Sequence, residues 1–328
     1  MLIPCEIAIF ADVKPDARMK ALYFFIFIPF YLLSLLPLWV HYLISDMMYY
    51  LLRYVVRYRL RVVRENLRTS FPEMSEAELR DTEHRFYRFF CDYLVESVKL
   101  LSISERQIKQ RVKFLGIEQV NQCIAEGQSC AAYLGHYGNW EWVTSLPLWV
   151  TPKALCGQIY HPIENKAFDR LFLRLRQRLG ALCIPMQDTL RKILEMRQQG
   201  QPIIIGYISD QKPLWVNIHH WVDFLHHDTP VLTGTERIVK KVNHAVFYLD
   251  MRCTGRGYYE ATFRLITREP QKMKDYELTD IYYQMLEESI RQAPAYWLWS
   301  HKRWSRTREE FNRRFEVVNG KVVAKSEE

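Results

Sequence analysis

Ser129-Cys130-Ala131-Ala132-Tyr133-Leu134-Gly135-His136-Tyr137-Gly138-Asn139-Trp140-Glu141-Trp142 is an apolar run that stops at a glycine-flanked histidine and passes into an amphipathic stretch at 138–149. A short apolar run bounded by turn residues reads as a buried strand, and the segment after it as a helix. The same alternation continues outward. Apolar runs at 154–160, 181–185 and 202–208 read as buried strands, with amphipathic stretches at 164–179 and 187–199 between them. Gly180 and Gly200 stand where helix C-caps belong. Strands alternating with helices imply a largely parallel sheet covered on both faces. Residues 245–252 and 258–267, split by Thr254-Gly255-Arg256-Gly257, read as a hairpin added to that sheet, and a last helix spans about 278–292. Upstream, Ser75-Glu76-Ala77-Glu78 is a capping box that opens a helix running to about Leu100. The soluble part reads as one α/β domain.

From Ala21 to Ser45 no Asp, Glu, Lys or Arg occurs, and about 20 apolar residues suffice to cross a bilayer as a helix. The expectation is an N-terminal membrane helix. Pro29 and Pro37 interrupt the run, so a kinked or re-entrant form also fits. A cleaved signal peptide fits poorly, because the run is too long. Arg53, Arg57, Arg59, Arg61, Arg64 and Arg68 follow, which favours the cytoplasmic face, while Lys14, Arg18 and Lys20 on the other flank leave spanning and monotopic insertion both open. Met19 reads as a plausible true start. The organisation expected is an extension (1–20), an anchor (21–45), a helical juxtamembrane region (46–110), the α/β domain (111–315) and a charged tail (316–328).

His136 falls at the carboxyl end of a strand, where open α/β sheets build their sites. Gly135 and Gly138 let backbone or substrate approach closely. Glu141, in the first turn of the following helix, is placed to accept the proton on the far imidazole nitrogen and fix the tautomer. The free ring nitrogen then serves as the general base that acyl transfer from a thioester to an alcohol requires, with helix-start amides as oxyanion donors. An isolated H-x4-E pair more often just caps a helix. The two glycines, the strand-to-helix context and the upstream apolar run set this one apart.

The chain has 328 residues, is 49% hydrophobic and carries a net charge of +8. That charge suits an acidic partner such as anionic lipid, an acidic carrier protein or nucleic acid. No nucleic-acid motif accompanies the arginines, which adjoin the apolar run, so nucleic acid is set aside. Seven cysteines lie scattered without CxxC spacing, which suits a reducing compartment. No P-loop or GxGxxG occurs and no cofactor is implied.

Three further constellations bear weighing. Lys166, Arg170, Arg174 and Arg178 form a basic stripe every four residues, either a phosphate grip or a solvated helix face. His219, Asp223 and His227 would share a helix face as metal ligands, but aromatic and aliphatic residues fill the gaps and an aromatic, His-rich lid is the better reading. Cys130 lies within the strand-like run and reads as a small buried hydrophobe rather than a nucleophile.

Gly135-His136-Tyr137-Gly138-Asn139-Trp140-Glu141 resembles the H-x4-D/E box of bacterial lipid A late acyltransferases, within the wider glycerolipid acyltransferase superfamily. Tyr160-His161-Pro162 with Asn165, Asp169-Arg170 and Arg174 resembles the segment after that box. Ser209-Asp210-Gln211 resembles the family's Asp-Gln turn, and Trp297-Leu298-Trp299-Ser300-His301-Lys302-Arg303-Trp304 its closing aromatic and basic block. Where the family carries a Gly- and Phe-rich stretch after the Asp-Gln turn, this chain has Trp221-Val222-Asp223-Phe224-Leu225-His226-His227. The resemblance implies a glycerolipid-acyltransferase-like α/β fold with a mixed, largely parallel sheet flanked by helices. It implies His136 as general base, Glu141 as its orienting acid, and Arg170, Arg174, Asp210, Gln211 and Arg303 as substrate-binding residues, with no metal. It also implies acyl carrier protein as donor, a hydroxyl on a saccharolipid as acceptor, and the cytoplasmic side of a bacterial inner membrane as location. Acceptors among lysophospholipids or aminolipids, and an inactive lipid-binding scaffold of the same fold, remain alternatives.

Overall fold

The computed structural model describes residues 17–318 and 320–325. The expected extension at 1–20 lies largely outside the described residues, as does the end of the tail. Helices α1 (Ala17–Leu35), α2 (Leu38–Tyr50), α3 (Leu60–Ser70) and α4 (Glu76–Lys99) come first, then α5 (Glu105–Arg111) and α6 (Ile117–Ala125) around strand β1 (Val112–Leu115). There follow β2 (Cys130–Leu134), β3 (Leu155–Tyr160), α7 (Lys166–Gln177), β4 (Leu182–Pro185), α8 (Thr189–Gln198) and β5 (Ile203–Ile208). A small hairpin, β6 (His220–Phe224) and β7 (His227–Val231), precedes α9 (Gly234–Val242). The long strands β8 (Ala245–Gly255) and β9 (Tyr258–Thr267) lead to α10 (Glu277–Gln292), α11 (Arg308–Arg314) and a terminal hairpin.

Seven strands form one sheet in the order β1-β9-β8-β2-β5-β3-β4. From β8 to β4 all neighbours are parallel; β9 runs antiparallel to β8 and makes the sheet mixed. The four short apolar runs become β2, β3, β4 and β5, mostly apolar segments with helices to cover both faces of the sheet. Ser75 accepts from the Glu78 amide, and the Glu78 side chain accepts from the Ser75 amide, so the capping box closes as read. Gly180 and Gly200 take the left-handed φ of 93° and 65° that ends α7 and α8.

Two expectations change. The stretch 138–149 is no α-helix: it is a 3₁₀ segment, Trp142–Leu148, carrying Pro147. The apolar run at the N-terminus is not one helix either. Pro37 has no amide to continue α1, and α1 and α2 meet at a bend of 114°. Among the described residues no single helix is long and apolar enough to cross a membrane. The bent pair is tied to the body from its inner side. Lys99 Nζ donates to the carbonyls of Ser34 (2.7 Å) and Leu36 (2.8 Å) at the end of α1, and Ser45 donates to Asp92 at 2.6 Å. Its outer side keeps Phe25, Trp39 and Met47 at 78%, 65% and 73% exposure. The basic exit is partly structural: Arg53 and Arg64 both pair with the buried Glu83.

Candidate active site

Strands β2 and β5 are parallel neighbours with Leu134 opposite Ile208. Two residues beyond each strand end, His136 and Asp210 therefore face one another. His136 Nδ1 lies 2.6 Å from Asp210 Oδ1, and the His136 amide donates to Asp210 Oδ2 at 2.8 Å. The indole of Trp297 donates to the same Oδ2 at 2.8 Å. Consecutive tyrosines of α10 brace both strand ends, Tyr282 donating to the Leu134 carbonyl and Tyr283 to the Ser209 carbonyl, each at 2.9 Å.

Asp210 is fully inside the protein. Burial by itself would push its carboxyl up, but the adjacent His136 imidazole, the Trp297 indole and the His136 amide outweigh it and hold it down at about 2. An ionised Asp210 accepts the Nδ1 proton, which leaves Nε2 with its lone pair free. The Gln211 amide nitrogen sits 3.2 Å from Nε2 and donates to it. The imidazole retains 19% side-chain exposure, and Trp140 packs its ring edge-on at 5.1 Å. The constellation is thus carboxylate, oriented imidazole and an accessible basic nitrogen, the parts of a general base.

Glu141 does not orient His136 in this structure. The His136 loop is clamped to the segment after α10: the Leu298 amide donates to the His136 carbonyl and the Gly138 amide to the Tyr296 carbonyl. That clamp, with Gly138 turning left-handed at φ 61°, carries Glu141 onto α7, where Arg176 grips it bidentately at 2.6 and 2.9 Å. Methyl-sized space is absent at both glycines. A Cβ on Gly135 would stand 2.6 Å from Leu286, and one on Gly138 would stand 2.8 Å from Met251. The helix-start amide of Trp142 is already taken by the Asn139 side chain.

The remaining sequence candidates divide. Gln211 lies at His136. Asp210 does too, but with both oxygens engaged by the protein rather than by substrate. Arg170 and Arg174 are exposed on α7 and stack over Tyr23 (5.4 Å) and Phe27 (4.7 Å) of α1. Their partners are the bent helices, because the stripe they form faces α1 while Arg176, one step round the helix, faces Glu141. Arg303 is wholly buried and donates to the Pro230 carbonyl and the Tyr283 hydroxyl. Residues 219–227 form an antiparallel hairpin, not a helix, so His219, Asp223 and His227 share no helix face. His220 instead pairs with Asp280, and His227 stacks on Trp304. Cys130 is a buried strand residue.

Sequence reading missed Arg176 and Glu96, and named Trp297 only within the closing aromatic block, without a role at His136. Glu96 lies beneath the His136 loop and accepts from Asn139 (2.6 Å), Tyr259 (2.7 Å) and Tyr42 (3.0 Å). Burial raises its carboxyl to about 7, against the lowering effect of those donors. A native pKa above the unfolded one means the folded state holds the proton longer, so stability should fall as pH rises from about 4.5 to 7 and level off beyond. In Glu96→Gln the Tyr42 hydroxyl can accept where it now donates, all three bonds persist, and the titration is gone. Melting curves of both proteins across that window should converge at low pH and separate near neutrality. A pH-independent gap would refute the assignment.

Comparison with known proteins places these features in a family. The family model described as bacterial lipid A biosynthesis acyltransferase matches residues 12–306. A lipid A biosynthesis acyltransferase of Haemophilus influenzae is 22% identical over 196 residues, which is 60% of this chain and 60% of that protein. The chain therefore matches less than two thirds of that curated relative's length. With a family match across most of its residues, this chain belongs to the bacterial lipid A biosynthesis acyltransferase family.

Proposed function

We propose that the protein is a membrane-associated acyltransferase that moves a fatty-acyl chain from a thioester, carried by acyl carrier protein, to a hydroxyl of a lipid A precursor. The observation that carries this reading is the His136 imidazole, with Nδ1 2.6 Å from the buried Asp210 carboxylate and 19% of its side chain open to the outside. In the reaction, Nε2 displaces its Gln211 contact and takes the acceptor's hydroxyl proton as the oxygen attacks the thioester carbonyl. The tetrahedral intermediate collapses, the C–S bond breaks, and the imidazolium returns the proton to the departing thiolate. No covalent enzyme intermediate forms. Mass spectrometry of total lipids from cells with and without the protein tests this. One saccharolipid class should lose a single acyl chain. An unchanged lipid profile, with purified protein inert toward acyl carrier protein thioesters, would leave a lipid-binding scaffold.

The bent pair α1–α2 supports insertion into one leaflet, with its apolar outer side in lipid and the body on the cytoplasmic side. The buried unpaired thiols of Cys91, Cys123, Cys156 and Cys183 suit that reducing compartment. Arg170 and Arg174, exposed beside α1, suit anionic headgroups at its border. Phe25, Trp39 and Met47 touch little of the body, so the triple change to Glu should spare the fold and move the protein from the membrane pellet to the salt-washed supernatant. Retention in the pellet after high-salt washing would overturn the insertion.

A further inference from the structure

Three segments close on one another beside the open side of His136. The first is the turn after β5, where Gln211 contacts His136 and Lys212 follows directly. The second is Ser300–Arg306. Lys212 Nζ donates to Ser305 Oγ at 2.6 Å, the Lys212 amide reaches His301 Nε2 at 3.5 Å, and the Arg306 guanidinium donates to the Pro213 carbonyl. The third is the start of α3, where Arg59 adopts a left-handed φ of 50° and donates to the Ser300 carbonyl at 2.9 Å. Asn66 locks the junction by donating to the carbonyls of Trp299 and His301.

The side chains these segments bring together are Arg59, Lys212, Lys302, Arg303 and Arg306. Among the described residues none of them forms an ion pair with a carboxylate within 4.0 Å. Glu310, whose charge acts on Arg306, is itself paired with Arg314. Burial, and then Arg306, Lys302, Arg303 and Arg59, push the Lys212 ammonium down. Among the described residues, the buried Arg303 leaves Nε and NH1 without a partner and adds its charge to the cluster from within. Crowded like charges cost stability unless an anion joins them.

We propose that Lys212, Arg306 and Arg59 form a binding site for a phosphate ester of a substrate, adjoining the nitrogen of His136 that takes the hydroxyl proton. This inference rests on the acyl-transfer reading and specifies it. It also moves the phosphate grip from Arg170 and Arg174, which stack on α1, to the turn after β5. Guanidinium and ammonium donors on three separate segments match the oxygens of a phosphate better than a single carboxylate would. Two phosphate esters could reach it: one on the acceptor lipid, and the phosphodiester of the carrier's pantetheine arm.

The test uses the full chain in detergent with pyrophosphate as the probe, its affinity measured by titration calorimetry. Lys212→Ala and Arg306→Ala, both at partly exposed positions, should each weaken pyrophosphate binding by roughly tenfold or more, as loss of a charge-assisted contact implies, while Lys212→Arg should retain it. Acyl-transfer kinetics then locate the source. A raised KM for the acceptor alone, absent with a dephosphorylated acceptor, assigns the lipid phosphate. A raised KM for the carrier thioester alone, absent with an acyl-pantetheine lacking phosphate, assigns the donor. Because binding is read without turnover, pyrophosphate affinity lost in the variants of a protein that transfers nothing would keep the site and discard the acyl-transfer reading. Folded variants that bind pyrophosphate like the wild type would overturn the proposal.

Discussion

Folded His136→Ala protein is expected to transfer acyl chains about 10²–10⁴-fold more slowly than the wild type, the usual contribution of a positioned general base. Asp210→Asn should fall in the same range for a reason visible in its hydrogen bonds. Asp210 Oδ2 accepts from both the His136 amide and the Trp297 indole, so the asparagine carbonyl oxygen must occupy that place. Its amide group is then turned toward Nδ1, where it donates. The imidazole proton is forced onto Nε2, the atom that has to receive the hydroxyl proton. The double variant should be little slower than His136→Ala alone, because the two side chains act as one unit. Single-turnover transfer rates, with melting temperatures measured in parallel, check this. If folded His136→Ala acylates at the wild-type rate, the site lies elsewhere. The pair also has an acid limit. With its carboxyl held at about 2, below an unfolded value of 3.8, Asp210 contributes stability above that unfolded value. The contribution is lost as pH falls through the window between the two.

How far the sequence reveals this site depends on which contacts are local. The strands were legible because each is a short, mostly apolar run bounded by turn residues or amphipathic stretches, and Gly135, Gly138 and His136 stood out at the end of one of them. Asp210 stood out only through the resemblance of Ser209-Asp210-Gln211 to the family's Asp-Gln turn. Nothing local says that β2 and β5 are neighbours in register, and only that register sets His136 against Asp210. The H-x4-E spacing suggested a helical turn that would bring Glu141 back to the imidazole. A bridge from Tyr137 to Trp297, more than 150 positions away, pins the loop so that no helical turn forms between His136 and Glu141. Arg176 was hidden for a similar reason. It lies beside Leu175 on the inward face of α7, while the regular stripe of Arg170 and Arg174 drew the reading to the outer face. The bend at Pro37 was visible as a residue, but its direction follows from Lys99, which caps α1 from a helix distant in sequence.

Glu141→Ala should destabilise the protein by about 3–5 kcal/mol, the cost of leaving one member of a buried ion pair alone. The Glu141 side chain is 3% exposed and Arg176 is 21% exposed, with two hydrogen bonds between them. Removing the carboxylate strands a largely buried guanidinium over the Phe172 ring. Removing the guanidinium instead, in Arg176→Ala, strands the carboxylate at comparable cost. Replacing both with apolar side chains of similar volume, as in Glu141→Leu with Arg176→Met, removes the desolvation penalty along with the attraction and should recover most of the stability. Thermal and denaturant melting of the four proteins in one detergent measures this directly. The same double variant decides what Glu141 does for chemistry. If its work is to hold the His136 loop on α7, a restored fold should bring turnover back to within an order of magnitude of the wild type, since Asp210 still sets the imidazole. If the double variant melts like the wild type yet turns over as slowly as His136→Ala, the negative charge of Glu141 itself is required, and the pair read from the H-x4-E spacing acts through the field at His136 rather than through a hydrogen bond to it.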